Sequence, residues 1–230
     1  MQNFICMRHT PCEKIISYDG SVELPLGELI RYYRELGIDR FPKNNLHDRN
    51  WSQMCVQYMP QVQDPVVSFS SKSLVLALND KLICKIRMDE KQDIEINNYQ
   101  VLNNNYSLFP RFEGVKFFSN GKKGIILERI KCFDKQNYTS GELNRIYYDF
   151  FDRLQELHST GIIHNDLIKA YKSDFRPNII ISDGQIRLID CENLIFRESC
   201  SSWEKLLNEE LNEVSEYFHE LIDFKCSTLT

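Results

Sequence analysis

Hydrophobic residues recur at two different spacings along this chain of 230 residues, and each spacing predicts a different kind of element. The first 62 residues contain a short amphipathic segment, "PLGELIRYYRELGI", whose spacing predicts a helix. Its apolar face consists of Leu26, Leu29, Ile30, Tyr33 and Leu36. From residue 65 to residue 87, two apolar runs flank Asn79 and Asp80, and this arrangement predicts a β-hairpin.

A second hairpin pattern lies between residues 114 and 130, where Ser119, Asn120 and Gly121 separate two apolar runs. Asn-Gly is a strong signal for a tight turn between antiparallel strands, because both residues tolerate a positive φ. Between the two hairpins, "EKQDIEINNYQVLNNN" has a helix-like pattern and contains Glu95. The region from residue 63 to residue 130 is therefore predicted to be rich in β-strands.

The second half of the chain is dominated by helical periodicity. A long helix is predicted from residue 141 to Gly161, which would end it, with Leu143, Ile146, Phe150, Leu154 and Leu157 on its apolar face. Two short buried strands follow around an Asp183-Gly184 turn. A final helix near residues 202 to 224 would bury Leu206, Leu207, Leu211, Val214, Phe218 and Leu221.

A β-rich half followed by a helical half predicts an α+β fold with two lobes and a cleft between them. We expect an N-terminal extension over residues 1 to 62, an N-lobe over residues 63 to 130 and a C-lobe over residues 131 to 230. The apolar face of the helix in the extension either completes the core or props the Glu95 helix inward.

Composition narrows the classes of protein. The formal net charge of -5 disfavours a general nucleic-acid binder or a protein that binds anionic membranes. The 8 cysteines are scattered without a C-x-x-C pair, which favours reduced thiols in the cytoplasm. We find no signal peptide pattern at the N-terminus, and no apolar run approaches the roughly 18 residues of a membrane span.

Four polar residues lie at the edges of apolar runs in "GIIHNDLIKAYKSDFRPNIIISDGQIRLIDCEN": His164, Asp166, Asn178 and Asp190. Burying a charge without a partner is costly, so these positions call for a functional explanation. Transfer of the γ-phosphoryl group of ATP needs oxygen ligands for Mg²⁺ and a carboxylate near the attacking hydroxyl. Asp190 and Asn178 could supply the metal ligands, and Asp166 could orient or deprotonate the acceptor.

The same residues resemble the protein-kinase-like superfamily. Its catalytic loop, H-R-D-L-x-x-x-N followed by D-F-G, is similar to His164-Asn165-Asp166-Leu167, then Asn178, then Asp190-Cys191-Glu192. The resemblance implies an ATP- and Mg²⁺-dependent phosphotransferase with a bilobal fold, in which the helical C-lobe is truncated. It gives Asp166 the role of catalytic carboxylate, makes Asn178 and Asp190 metal ligands, and gives His164 a supporting role.

The upstream half resembles the N-lobe of that superfamily. Lys85 in "LICK" is similar to the lysine of V-A-I-K, and Glu95 resembles its helix-borne partner, with Glu90 and Asp93 as alternatives. "SFSSKSLV" has the register of the glycine-rich phosphate loop, which implies nucleotide contacts from Ser68, Ser70, Ser73 and Val75. "GIILERI" looks like the strand that leads into the hinge, so backbone groups from Glu128 to Ile130 would receive adenine.

Three departures from the motifs leave the acceptor and the activity open. The interval from Asp166 to Asn178 is longer than the usual motif, which indicates an insertion that could bulge outward and leave both ends in place. Serines replace the glycines of the phosphate loop, and Asp-x-Glu replaces D-F-G. A protein serine or threonine hydroxyl is the first choice of acceptor. The alternatives are a small-molecule hydroxyl, or a pseudokinase that binds without turnover.

Overall fold

The computed structural model describes residues 14–16, 23–37, 66–69, 72–102, 107–130, 138–168 and 178–227 as a mixed α+β protein. In chain order the elements begin with β1 (Lys14–Ile16), β2 (Glu23–Pro25), α1 (Leu26–Glu35), β3 (Val66–Phe69), β4 (Ser73–Ala77), β5 (Leu82–Arg87) and α2 (Gln92–Val101). They continue with β6 (Phe112–Phe117), β7 (Lys123–Glu128), α3 (Ser140–Ser159), β8 (Ile162–Ile163), β9 (Ile179–Ser182), β10 (Gln185–Leu188), β11 (Ile195–Phe196) and α4 (Trp203–Ser227).

The largest sheet has five strands in the order β3-β4-β5-β7-β6. Both predicted hairpins are confirmed. Between β4 and β5, the side-chain oxygen of Asn79 accepts the N–H groups of Lys81 at 2.8 Å and Leu82 at 2.9 Å, which closes the turn. Between β6 and β7, Gly121 takes a positive φ of 81°, a conformation that glycine adopts at little cost.

Helix α1 packs its apolar face into the core formed by this sheet. Leu29, Tyr32 and Tyr33 are buried together with side chains from β4 and β5 and with Phe118. The ring of Tyr32 meets that of Phe118 edge to face, with 4.8 Å between the ring centroids. The helix of the N-terminal extension therefore completes a core, which agrees with the simpler of the two interpretations of its sequence.

Helix α3 has well-defined ends. At its start, Thr139 and Glu142 form a reciprocal capping box, and at its end Gly161 takes a φ of 85° directly after the C-cap residue Thr160. The predicted apolar face is confirmed, because all five of its residues are buried: Leu143, Ile146, Phe150, Leu154 and Leu157. This face packs on α4, where Phe218 is completely buried against Phe150.

The hairpin β9–β10 turns at Asp183 and Gly184, both with positive φ, of 51° and 73°. Two such residues in sequence fit the turn geometry that matches the twist of a hairpin, which confirms the prediction from Asp-Gly. The short strands β8 and β11 pair antiparallel, and this pairing brings the segment before His164 next to Ile195. These short elements place the polar residues of the candidate site.

The described residues fall into two compact units. The first comprises the described residues within 1–90 and 114–127, and the second comprises those within 91–113 and 128–230. Helix α2 belongs to the second unit, where the side chain of Asn98 donates a hydrogen bond of 2.6 Å to the carbonyl of Cys191. The predicted N-lobe, residues 63 to 130, therefore includes parts of both units. None of the described helices is long and apolar enough to cross a membrane.

Gly124 in β7 provides a test of the packing in the first unit. A Cβ atom at this position would lie 2.4 Å from the Cys84 sulfur and 2.9 Å from an edge carbon of Phe118. Gly124→Ala should lower the free energy of unfolding by roughly 1–3 kcal/mol, because overpacking forces its neighbours to move. Gly141→Ala, with nothing within 4 Å of the added Cβ, is the matched control. Equal urea midpoints for the two variants would contradict this packing.

Candidate active site

Three separate segments of the second unit are held side by side by backbone hydrogen bonds. The N–H of Asn178 donates to the carbonyl of Leu167 at 3.0 Å, and the N–H of Ile189 donates to the carbonyl of Asn178 at 3.1 Å. The two ends of the interval between Asp166 and Asn178 therefore lie next to each other. The hypothesis of an insertion requires that both ends stay in place, and the ends do meet; residues 169 to 177 themselves lie outside the described residues.

The side chain of Asn178 adds a further connection. Its amide nitrogen donates a hydrogen bond of 2.7 Å to the carbonyl of Asp166, and the residue is 8% exposed. Because the nitrogen is used in this bond, the amide oxygen is the atom that could face a ligand. The carboxylate of Asp166 is itself fixed, since its Oδ2 accepts a hydrogen bond of 2.8 Å from the amide of Asn193.

His164 is completely buried and ties the loop to the end of β10. Its Nε2 lies 2.8 Å from the carbonyl oxygen of Ile189, and its ring stacks on Phe109 with 6.2 Å between the ring centroids. A carbonyl can only accept, so Nε2 carries the proton in this pair. This geometry gives His164 a supporting role in the loop.

Glu210 of α4 holds the same loop from the other side. Its carboxylate is buried and accepts hydrogen bonds from the N–H of His164 at 3.2 Å and from the N–H of Asn165 at 2.5 Å. His158 Nε2 lies 2.8 Å from Oε1 of the same carboxylate. Asn165 has a φ of 61°, a conformation that an L-residue adopts at some cost and that these bonds help to maintain.

Three carboxylates meet near the end of β10. Ligand atoms of Glu95, Asp190 and Glu192 lie within 4.8 Å of one another. Glu95 is completely buried, whereas its sequence alternatives Glu90 and Asp93 are exposed, so burial singles out Glu95 among the three. Asp190 has a φ of 62°, which turns the chain so that Asp190 and Glu192 approach the same point.

Negative charges this close repel each other, and a cation between them would relieve that repulsion. Carboxylate oxygens are the ligands that Mg²⁺ and Ca²⁺ prefer. Tyr99 lies nearby, and burial, with added repulsion from Cys191 and Glu95, raises its pKa well above the usual value. Its hydroxyl therefore stays protonated and adds no further negative charge to this cluster.

The residues predicted to contact the nucleotide phosphates belong to the first unit. Lys85 on β5 is 5% exposed and lies directly opposite Val75 on β4, which in turn lies opposite Ser68 on β3. Ser73 lies opposite Arg87 in the same hairpin, and Ser70 lies outside the described residues. The predicted pair of Lys85 and Glu95 would join the two units, and it stays a prediction.

Glu128, the first residue of the predicted adenine contact, is held in place by two arginines. Its N–H donates to the carbonyl of Arg111 at 2.9 Å, and its Oε2 accepts from the N–H of Arg111 at 3.1 Å and from the guanidinium of Arg187 at 2.7 Å. The backbone N–H of Glu128 is therefore already used. If adenine binds here as predicted, it would have to use the carbonyl of Glu128 or the backbone groups that follow, up to Ile130.

The pKa of Glu128 reflects this environment. Partial burial alone raises the pKa of the carboxyl group, but the hydrogen bonds from Arg111 and Arg187 outweigh burial and hold that pKa below its usual value. A lowered pKa means that the interaction stabilises the fold above the pKa of the unfolded chain. This contribution is lost as the pH falls through the pKa of the folded state.

The sequence analysis gave no role to four residues that lie at this site: Arg187, Glu192, Asn193 and Glu210. Glu210 lies within a run of glutamates, where a charged residue is expected to face water. A signal for it was nevertheless present, because Glu210 is four residues before Val214 and therefore lies on the apolar stripe of α4.

No family model matches this chain, and the comparison with curated proteins finds no significant relative.

Removal of the Glu210 carboxylate should destabilise the second unit severely. Glu210→Ala would leave His158 and the N–H groups of His164 and Asn165 buried without their acceptor, at an expected cost of at least about 3 kcal/mol. Glu209→Ala, an exposed neighbour that pairs only with Lys205 at 3.7 Å among the contacts described, should change the free energy of unfolding by less than about 0.5 kcal/mol.

Urea unfolding of both glutamate variants, with the whole chain, provides the comparison. A Glu210→Ala variant as stable as the Glu209→Ala variant would show that the buried carboxylate does not hold this loop.

Proposed function

We propose that this protein is an ATP- and Mg²⁺-dependent phosphotransferase with a bilobal protein-kinase-like fold and a truncated helical C-lobe. The observation that carries the proposal is the set of hydrogen bonds that places Asp166, Asn178 and the residue before Asp190 side by side. Two carboxylates and an amide on one rigid frame match the needs of phosphoryl transfer, in which positioning and electrostatics supply most of the catalysis.

Each residue of this frame has a distinct proposed role. Asp166 accepts the proton of the attacking hydroxyl, or orients that hydroxyl toward the phosphorus atom. Asp190 and the amide oxygen of Asn178 are the proposed metal ligands, and the proximity of Glu192 to Asp190 adds a third. Bound Mg²⁺ would neutralise the negative charge that the phosphates carry.

On the nucleotide side, Lys85 is the proposed phosphate ligand and Glu95 its partner. The burial of both side chains supports this, because a buried lysine and a buried glutamate each need compensation by opposite charge. Ser68, Ser70, Ser73 and Val75 are proposed to cover the phosphates. The carbonyl of Glu128 and the backbone of Ile130 would receive adenine.

The first proposed acceptor is a serine or threonine hydroxyl of a protein, in keeping with the kinase resemblance.

We also infer a cytoplasmic setting, with neither nucleic acid nor membrane as a partner, from the net charge and the cysteines. Burial raises the pKa of the Cys84 thiol to about 12, and Cys191 is a buried cysteine that forms no disulfide. Buried thiols of this kind suit a reducing compartment.

One observation favours a second candidate, a small-molecule hydroxyl. The chain runs from Asp190 to the start of α4 at Trp203 through two single turns and one short strand, which offers a peptide little extended surface to dock on.

Asp190→Asn tests the proposal most directly. The amide tolerates the left-handed backbone at this position but lacks the charge that would hold the metal, so the transfer rate should fall by about 100-fold or more. Asp152→Asn, exposed on α3, is the matched control and should keep the full rate. Both variants should unfold at the temperature of the unmodified protein to within a few degrees, or about 1 kcal/mol.

Incubation with labelled ATP and Mg²⁺, in the presence of basic proteins or a panel of small alcohols, separates the two acceptors. Label on protein supports the first acceptor, whereas label only on a small alcohol supports the second. Thermal stabilisation by ATP and Mg²⁺ without transfer to any acceptor would identify a pseudokinase that binds nucleotide. An Asp190→Asn variant with an undiminished rate would refute the proposed metal ligand.

A further inference from the structure

Asn193 occupies a position between two charged groups. Its amide nitrogen donates a hydrogen bond of 2.8 Å to Oδ2 of Asp166, and its amide oxygen accepts one of 3.2 Å from the ammonium group of Lys91. All three residues belong to the second unit. A side-chain amide has one accepting end and one donating end, so a cation on one side and a carboxylate on the other fix its orientation.

The backbone places this amide with little freedom. Asn193 ends the single turn of 3₁₀ helix that follows Asp190, and the carbonyl of Cys191 in the same turn is held by the amide of Asn98. Lys91 directly precedes α2, the helix that carries Glu95. This one short turn therefore connects three features: the cluster of Glu95, Asp190 and Glu192, the start of α2, and the carboxylate of Asp166.

We propose that Asn193 is a positioning residue for Asp166 and that Lys91 orients it. This inference rests on the proposed phosphotransferase function. The bond to Asn193 occupies Oδ2 and restricts rotation of the carboxylate, so that Oδ1 is the oxygen available to an acceptor hydroxyl. The proton of the acceptor hydroxyl would move to Oδ1 as the hydroxyl oxygen attacks the γ-phosphorus of ATP. The bond from that phosphorus to the bridging oxygen would break, and ADP would be the leaving group.

The arrangement also makes the alignment of Asp166 depend on α2. A displacement of the start of α2 would remove the ammonium of Lys91 from Asn193 and leave the amide held at one end only. The amide would then rotate more freely and hold Oδ2 less firmly, so the orientation of Asp166 would be less well defined. The same helix carries Glu95, which connects the state of the carboxylate cluster to the proposed catalytic carboxylate.

Two substitutions at Asn193 separate positioning from simple packing. Asn193→Asp has nearly the same shape but cannot donate, whereas Asn193→Ala leaves a gap and also cannot donate. Both should lower kcat by roughly 10-fold or more, since a misplacement of about 1 Å can cost about 100-fold. KM for ATP should change by less than about twofold, because the residue is not proposed to contact the nucleotide. Asn208→Ala, exposed on α4, is the control and should retain full kcat.

Lys91→Met removes the ammonium and keeps most of the alkyl chain. We expect a smaller loss of kcat in the same direction, and no additional loss when Lys91→Met is combined with Asn193→Ala, because both act through one amide. Lys81→Met, exposed in the β4–β5 turn, is its control. Additive losses in the double variant would contradict the proposed role of Lys91.

The inference fails if Asn193→Asp retains full kcat, or if both Asn193 variants lose nucleotide affinity and kcat in equal measure. A readout that does not need turnover is the NMR resonance of the Asn193 side-chain amide, which should shift in an Asp166→Asn variant. If the unmodified protein transfers no phosphate at all, the proposed function is wrong. An amide resonance that Asp166→Asn leaves in place overturns the proposed pairing itself.

Discussion

Burial of the Glu210 carboxylate imposes a strict requirement on the second unit, because a charge removed from water must be matched by donors. The structure meets this requirement with the backbone N–H groups of His164 and Asn165 and with the ring of His158. The bonds come from two successive residues, so they determine the direction in which the chain leaves β8. The left-handed conformation of Asn165 follows from that direction, and Asp166 is placed by it.

From this anchor, the rest of the candidate site is built by short bonds between segments that are distant in sequence. His164 fastens the loop to Ile189, and Asn178 fastens it to both Leu167 and Ile189. A pair of strands as short as β9 and β10 could not hold such a loop alone. Helix α4 therefore holds the loop in place through one buried side chain, Glu210, which the short strands alone could not do.

The sequence predicted those features that depend on neighbouring residues. The Asp183-Gly184 turn and the apolar face of α3 were correct, because turn conformation and helical periodicity are local properties. For α4 the prediction was less accurate. Val214 and Phe218 are buried as predicted, and Trp203 and Tyr217 belong to the core as well. The four predicted leucines are only partly buried: Leu206, Leu207, Leu211 and Leu221. A helix that buries a carboxylate turns a different side inward from one that buries only leucines.

The candidate site shows the same division. Asp166, Asn178 and Asp190 were predicted from their resemblance to the kinase motifs, although the interval from Asp166 to Asn178 is longer than in those motifs, and the structure brings their segments together. Asn193 and Arg187 could not be predicted, since their roles consist of contacts across 27 and 59 residues. A single sequence holds no record of such pairs. Only the folded chain shows that an asparagine three residues after Asp190 faces Asp166.

The hydrogen bond between Asn178 and Leu167 has a consequence for how this protein can change over evolutionary time. It closes the chain upon itself, so residues added or removed between these two anchors need not disturb either of them. The entropic cost of closing a chain segment grows only slowly with its length, by about 0.6 kcal/mol for each doubling. The interval between the two anchors can therefore acquire new lengths and new side chains while the hydrogen bonds around Asp166 are inherited unchanged, so the sequence of this interval can diverge independently of the residues that surround it.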